Sequence, residues 1–356
     1  MPRTENDIAI VGWAQSPMVR RSEHTETEMM LSTVQGAIKD AGLTKDDIGF
    51  TVSGSCDYLS GRGFSFVANV DAYGAYPPIN ESHVEMDGSF AMYEAFVRLL
   101  QGDIDTAVAA GVGKNSNSDP ETLYTIEMDP YYLTPLGADP WSLAALQYRA
   151  LLDAGKLTER DVAEVVARNR ASAKDNANAQ VSGDVDVDEL LAAPYVRDPL
   201  RSHDLPPITD GCAAVVLARG KKAHDLCERP VWITGIDHRI EPHLPTMRAD
   251  LTSSTSTKLA AQGAGAGDGP IEVAELHAPF SFQELVLTEA LGLGADTAVN
   301  PSGGALGAHA VMVAGLVRVI EAATQIAENG KHRTLAHTTS GPCLQQNLVC
   351  ILEGDE

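Results

Sequence analysis

Two histidines occupy the positions where chemistry is easiest to place. His277 follows the short apolar run that starts at Ile271, and His309 stands at the mouth of the apolar stretch that reaches Ile320. Each sits where one chain element gives way to another, and imidazole is the side chain whose proton equilibrium lies nearest neutral pH. Between them runs Asn300-Pro301-Ser302-Gly303-Gly304, where a glycine pair lets a ligand approach the backbone because no Cβ intervenes. In the first part of the chain, Asp87 and Ser89 head an apolar helix. Asp87 acts there either as an N-cap or, if burial raises its pKa, as a base. Asp57-Tyr58, in a loop of small residues, offers a phenol to a substrate hydroxyl. The cysteines (Cys56, Cys212, Cys227, Cys343 and Cys350) are odd in number and show no CxxC spacing. That pattern fits free thiols in a cytoplasmic protein and speaks against a structural zinc site.

Bulk properties narrow the function classes. With 44% hydrophobic and 21% charged residues, the chain is an ordinary globular protein rather than a disordered one. Its 356 residues suffice for a large core or two fused core units. A net charge of −23 argues against a nucleic-acid or anionic-membrane partner, since phosphate binding depends on Lys and Arg. A small anionic ligand stays compatible with it, because a local field can oppose the net charge. No run approaches the roughly 18 apolar residues of a membrane helix. The stretch Met1 to Asp7 leads into a strand without the apolar core of a signal peptide.

The elements that must position these groups follow from hydrophobic spacing. Ile8 to Val11 alternates as a strand and meets Gly12-Trp13 as a turn. Glu26 to Ala41 has helical spacing and stops at Gly42; Phe50 to Val52 is a short strand leading into the loop Ser53 to Gly61; Phe90 to Leu100 is a buried helix; Asp105 to Gly111 is a strand. From about residue 114 to 201 the texture changes to turns, two helices and an acidic patch, an inserted lobe. Strand character returns at Asp210 to Ala218, and Arg229-Pro230 marks a boundary. The order then repeats. Val231 to Thr234 answers Ile8 to Val11, Glu272 to Ala274 answers Phe50 to Val52, and Asn300-x-Ser302 answers Asn80-x-Ser82. Thr334 to His337 answers Thr106 to Ala110, and Leu348 to Leu352 answers Val215 to Ala218. This is a duplicated α/β unit divided into residues 1–228 and 229–356, with parallel pairing expected from the strand–helix alternation. Ala260 to Gly269 (AAQGAGAGDG) reads as a flexible surface loop.

The motifs of the second half resemble the thiolase superfamily, in its sterol-carrier-protein or lipid-transfer branch. The matching text is His277-Ala-Pro-Phe280-Ser-Phe-Gln-Glu284-Leu285, Asn300-Pro-Ser-Gly-Gly304, Ala308-His309-Ala-Val-Met-Val-Ala-Gly315 and Leu344-Gln-Gln-Asn-Leu348. The resemblance implies a duplicated thiolase fold: a five-layer αβαβα sandwich with an inserted loop lobe in its first half, dimerised through sheet edges. It implies that His277 and His309 hold a thioester oxygen and manage protons, and that Cys343 donates a proton to an enolate carbon, unless it is an inert buried thiol. It places Ser89, Asn300, Ser302, Gly303, Gly304 and Gly341 against an acyl-CoA substrate. The nucleophilic cysteine of the family belongs at Met86, Asp87 or Gly88, and none of these is a cysteine. A site that stabilises a thioester enolate without an acyl-cysteine suits retro-aldol cleavage of a β-hydroxyacyl-CoA with a steroid or other lipid tail. Coenzyme A then enters as part of the substrate, with no covalently bound cofactor. Arg149, Arg168 and Arg170 of the lobe are cations for its phosphates or simple surface charges. The resemblance also implies a second thiolase-like chain or a homodimer, and a small OB-fold, zinc-ribbon protein that binds acyl-CoA. Two other functions fit the sequence: an acyltransferase whose nucleophile is Cys56 or comes from a partner, and a catalytically silent subunit that carries lipid.

Overall fold

A computed structural model of the chain describes residues 4–355, so Met1, Pro2 and Arg3, part of the stretch read against a signal peptide, lie outside the described residues. The first half runs β1 (Ile8–Gln15), α1 (Glu26–Asp40), β2 (Phe50–Gly54), α2 (Asp57–Ser60), α3 (Phe66–Tyr73), β3 (Glu81–Val84), α4 (Gly88–Leu100) and β4 (Thr106–Lys114). The segment that follows holds α5 (Pro120–Glu127), α6 (Pro140–Asp153), α7 (Glu159–Ser172), α8 (Val187–Ala192) and a small ribbon of β5 (Tyr195–Arg197) and β6 (Leu200–Arg201). Then come β7 (Asp210–Arg219), α9 (Gly220–Leu226), β8 (Val231–Ile240), α10 (Thr255–Gly263), β9 (Val273–Leu276) and α11 (Ser281–Leu291). The chain closes with β10 (Ala298–Val299), α12 (Gly304–Gly307), α13 (Ala314–Ala327), β11 (Arg333–Ser340) and β12 (Gln346–Glu353).

Local chemistry explains why the helices start and stop where they do. Thr25 and Glu28 form a capping box at the head of α1, whose Met29, Met30, Val34, Ala37 and Ile38 form one buried face. Leu291 ends α11 because Gly292 adopts φ +67°, a left-handed cap that L side chains resist. Among the described residues, no helix is long and apolar enough to cross a membrane.

Ten strands join in the order β10-β9-β11-β12-β8-β1-β7-β4-β2-β3. Read outward from the β8/β1 seam, both sides give the same order: first strand of the half, fifth, fourth, second, third. The seam itself is short, pairing Ile8 with Ile233, Ala9 with Trp232 and Ile10 with Val231. Between the two sides lie α4, packed on β2 and β4, and α13, packed on β9 and β11, with the helices touching each other. Phe90, Leu99, Leu316 and Ile320 are buried there with Val215 and Leu348 in one apolar cluster. A second cluster joins α1 to the outer face of the first side, and a third joins α10 and α11 to the outer face of the second. Helix, sheet, helix pair, sheet and helix are the five layers expected, in a thiolase fold.

Three sequence expectations need correction. Among the described residues, parallel pairing holds only at β9/β10, β9/β11, β2/β3 and β2/β4; the remaining neighbours are antiparallel. At β11/β12 the reason is direct: a short turn joins them, and a tight turn can only return antiparallel. Gly12-Trp13 is no turn, because β1 continues to Gln15 along β7 with an irregularity in register between Ile10 and Gly12. Ala260 to Gly269 is no flexible loop. It holds the end of α10, where Ala260, Ala261 and Ala264 are buried, followed by a short 3-10 turn. Small residues appear there because the helix end lies tight on β8, where a Cβ on Gly235 would come within 1.9 Å of the Ala264 carbonyl oxygen.

Candidate active site

His277 follows β9 at the carboxyl ends of the parallel strands, and its amide donates to the His337 carbonyl of β11 at 3.1 Å. Open α/β sheets place ligands at such strand ends. His309 lies in the turn between α12 and α13. Its amide donates to Thr209 Oγ1 at 3.0 Å, and its carbonyl accepts from Asn115 Nδ2 at 3.3 Å. Strand β4 of the other side makes room for this turn: a Cβ on Gly113 would lie 2.0 Å from the Val311 carbonyl oxygen, and one on Gly111 2.5 Å from that of Met312. The two imidazoles meet with Nε2 atoms 2.9 Å apart. The Thr339 amide, 3.4 Å away, points at His277 Nδ1, which assigns the His277 proton to Nε2 and makes His309 Nε2 the acceptor.

Both rings are buried, and burial favours the uncharged form. It drives the pKa of His277 well below its ordinary value, with neighbouring His309, His337 and Arg318 adding to the effect. His309 is brought down to about 4 by burial and then by Arg318. The pair is therefore neutral near pH 7, and a neutral imidazole N–H is a suitable donor to an oxygen that gains charge.

His309 forms part of the wall of a cavity of about 300 Å³, together with Tyr124, Trp141, Phe280, Met312 and Gly341. His277 adjoins that wall through His309. The lining combines aromatic and apolar side chains with polar ones, among them Glu127, Glu241, His243 and Gln346, the mixture that fixes and orients a ligand.

The other candidate residues have different surroundings. Asp87 is buried and caps two helices at once: Oδ1 accepts from the Ser89 and Leu316 amides at 2.8 and 3.1 Å, and Oδ2 from Gly315 at 2.9 Å. Burial raises its pKa while these amides oppose the rise. The missing side chain at Gly315 permits the contact, since a Cβ there would sit 2.7 Å from Asp87 Oδ1. Ser89 Oγ is buried without a hydrogen-bond partner among the described residues, so no base prepares it as a nucleophile. Cys343 lies beneath the cavity, not on its wall. Its thiol donates to the Leu143 carbonyl at 3.5 Å, and burial pushes it up to about 12. Tyr58 stands on α2, 55% exposed and outside the cavity lining.

Asn300, Ser302 and the glycine pair hold the loop rather than the cavity wall. Asn300 Nδ2 donates to Glu284 at 2.6 Å, while its Oδ1 accepts from the Leu276 amide at 2.6 Å. Ser302 Oγ donates to Glu275 at 2.6 Å and accepts from Arg318 at 2.7 Å. Burial pushes the Glu275 carboxyl up to about 7 against the pull of Arg318, 3.0 Å away. Gly303 and Gly304 take positive φ of 95° and 61°. This network fixes the route from β9 to His309. Arg168 is bound to Glu284 and Arg149 to Asp198, so both already have carboxylate partners.

Sequence reading missed Tyr124, Glu127 and Trp141, all in the cavity wall and all within the segment taken as an inserted lobe. The spacing of Tyr124 and Glu127, three residues apart behind Pro120, was the available signal.

No family model matches the chain. It is 26% identical to the acetyl-CoA acetyltransferase of Methanothermobacter thermautotrophicus, over 92% of this chain and 93% of that one. It is 23% identical to the 17-hydroxy-3-oxo-4-pregnene-20-carboxyl-CoA lyase of Mycobacterium tuberculosis, over 80% and 78%. Among solved structures, the Ltp2-ChsH2(DUF35) aldolase superposes with a TM-score of 0.81 at 19% identity, over 99% of this chain and 98% of that one. Its relatives and neighbours are thus thiolase-fold enzymes, acyltransferase and lyase alike.

Proposed function

We propose that this protein is a carbon–carbon lyase that cleaves a β-hydroxyacyl-CoA by retro-aldol reaction. One observation carries the reading. A neutral imidazole pair adjoins an apolar cavity, while the head of α4, where an acyl-accepting thiol would belong, holds the Asp87 carboxylate engaged with three amides. The cysteines near the cavity do not replace that thiol: Cys56 and Cys343 are each pushed up to about 12, which leaves no thiolate near neutral pH.

The steps balance without a bound cofactor. A base takes the β-hydroxyl proton, the oxygen's electrons form a carbonyl, and the Cα–Cβ bond breaks. Its electron pair moves into the thioester as an enolate, whose oxygen receives the Nδ1–H that this tautomer leaves on His309. The enolate carbon then takes a proton, releasing a shortened acyl-CoA and a ketone or aldehyde. A neutral donor stabilises this charge best in a water-poor site, and the burial of both rings supplies that condition.

The mycobacterial lyase supports a steroid tail by its name, and the solved aldolase, whose name joins two components, supports a complex with a second protein. The test is to incubate the protein, alone and with such a partner, with 17-hydroxy-3-oxo-4-pregnene-20-carboxyl-CoA and other 3-hydroxyacyl-CoA thioesters. The expected products are a ring ketone and propanoyl-CoA from the steroid. Thiolysis of a 3-oxoacyl-CoA as the sole activity would end the reading.

A further inference from the structure

We infer that Glu127 is the base that accepts the β-hydroxyl proton, with the Tyr124 phenol holding the same oxygen; the inference rests on the lyase reading above. Both residues line the cavity that His309 lines. They lie three apart on α5, a spacing that sets two side chains on one helix face. The Tyr124 hydroxyl is buried and makes no hydrogen bond among the described residues. Few polar groups tolerate burial without a partner, so this hydroxyl is a donor in reserve for a ligand oxygen. Its ring is kept in place beside Trp141, with centroids 6.3 Å apart.

Glu127 has the accepting capacity that the other acid of the wall lacks. Its Oε1 receives only the Cys56 thiol, at 3.4 Å, and its Oε2 makes no hydrogen bond among the described residues. Glu241, by contrast, accepts from the Ser256 amide and hydroxyl at 2.9 and 2.6 Å and faces Arg248 Nε at 3.2 Å. Glu127 is exposed as a residue and lines the cavity, so its carboxylate is not sealed in the core. Partial crowding raises its pKa, Cys56 opposes the rise and Glu85 adds to it. The direction moves a carboxylate toward the range in which a base works at neutral pH. The proton balance closes on Glu127 alone: it takes the hydroxyl proton as the C–C bond breaks and returns it to the enolate carbon.

Two measurements test this on the full chain, with its partner where activity requires one. The first is binding of the 17-hydroxy steroid thioester and of its 17-deoxy counterpart. Wild-type protein should prefer the hydroxylated ligand, and Tyr124→Phe should lose about 5- to 10-fold of that preference, the range of one hydrogen bond. The second is turnover. Glu127→Gln should lower kcat about 100-fold or more while the affinity for the 17-deoxy thioester stays within about three-fold, and Glu127→Asp should recover part of the loss. Wild-type turnover by Glu127→Gln overturns the base assignment and leaves the lyase reading standing. A wild-type protein that cleaves no 3-hydroxyacyl-CoA overturns the lyase reading, and the base assignment with it. An unchanged hydroxyl preference in Tyr124→Phe overturns the phenol's part independently of turnover.

Discussion

The two helices at the centre of the molecule, α4 and α13, are reached from equivalent strands by very different links. From β3 to α4 the chain uses three residues, Glu85 to Asp87; from β10 to α13 it uses fourteen, Asn300 to Val313. The short link ends in a carboxylate sealed against the amides of both helices. The long link carries His309 to the cavity and to His277. The two halves thus share one scaffold, while the imidazole pair lies wholly in the second. The first half contributes a cap, the cavity residues Tyr124 and Glu127 and, through Gly111 and Gly113, a surface close enough to hold the His309 turn.

That asymmetry is open to direct attack. Asp87→Ala should be the most damaging change, because it orphans three amides in a dry core; we expect a loss of roughly 3–5 kcal/mol in urea denaturation, with Asp87→Asn retaining part of it. An Asp87→Ala protein of wild-type stability would show that the carboxylate does not join the two helices. On the lyase reading, His309→Ala should instead leave the fold intact and lower turnover about 10²- to 10³-fold, or roughly 3–4 kcal/mol of barrier, since it removes half of the proposed oxygen-binding pair. Steady-state kinetics beside a melting curve separates the two kinds of loss.

Gly113→Ala tests the contact between halves. The new Cβ meets backbone, which cannot swing away as a side chain would, so the His309 turn must shift; we expect a cost of about 1–3 kcal/mol and a parallel fall in kcat. Acid gives the gentlest probe. The pKa values of His309 and His337 are each lowered to about 4 from an ordinary 6.5, so above pH 6.5 neither state holds the extra proton and stability is full. Between pH 6.5 and 4 the unfolded chain binds protons that the folded chain refuses. Stability should then fall by up to about 1.4 kcal/mol per pH unit for each ring, and the contribution of these two rings should level off below pH 4. Replacing His337 with Asn should flatten that slope.

Much of the scaffold was legible because it is written in local spacing. The equivalence of Ile8 to Val11 with Val231 to Thr234, and of Phe50 to Val52 with Glu272 to Ala274, appears in the sheet as the mirrored strand order. The misreadings share one cause. Gly12 and the alanine–glycine run after Ala260 look like breaks when only composition is visible, yet both are small because another element lies against them: Ala41 of the α1 cap in one case, β8 in the other. Small residues report either freedom or close packing, and a single sequence does not say which.

The types and order of the chemical groups were thus set by the sequence itself: two imidazoles flanking a glycine-rich loop, and no cysteine at the head of α4. Their relation to one another was decided only in three dimensions. His277 and His309 are 32 positions apart, and their Nε2 atoms meet because Glu275, Glu284 and Arg318 fix the loop between them while β4 closes on it from the other half. Tyr124 and Glu127 join the same cavity from nearly 200 positions upstream. No local periodicity encodes such a meeting, since it depends on which buried faces find each other across the core.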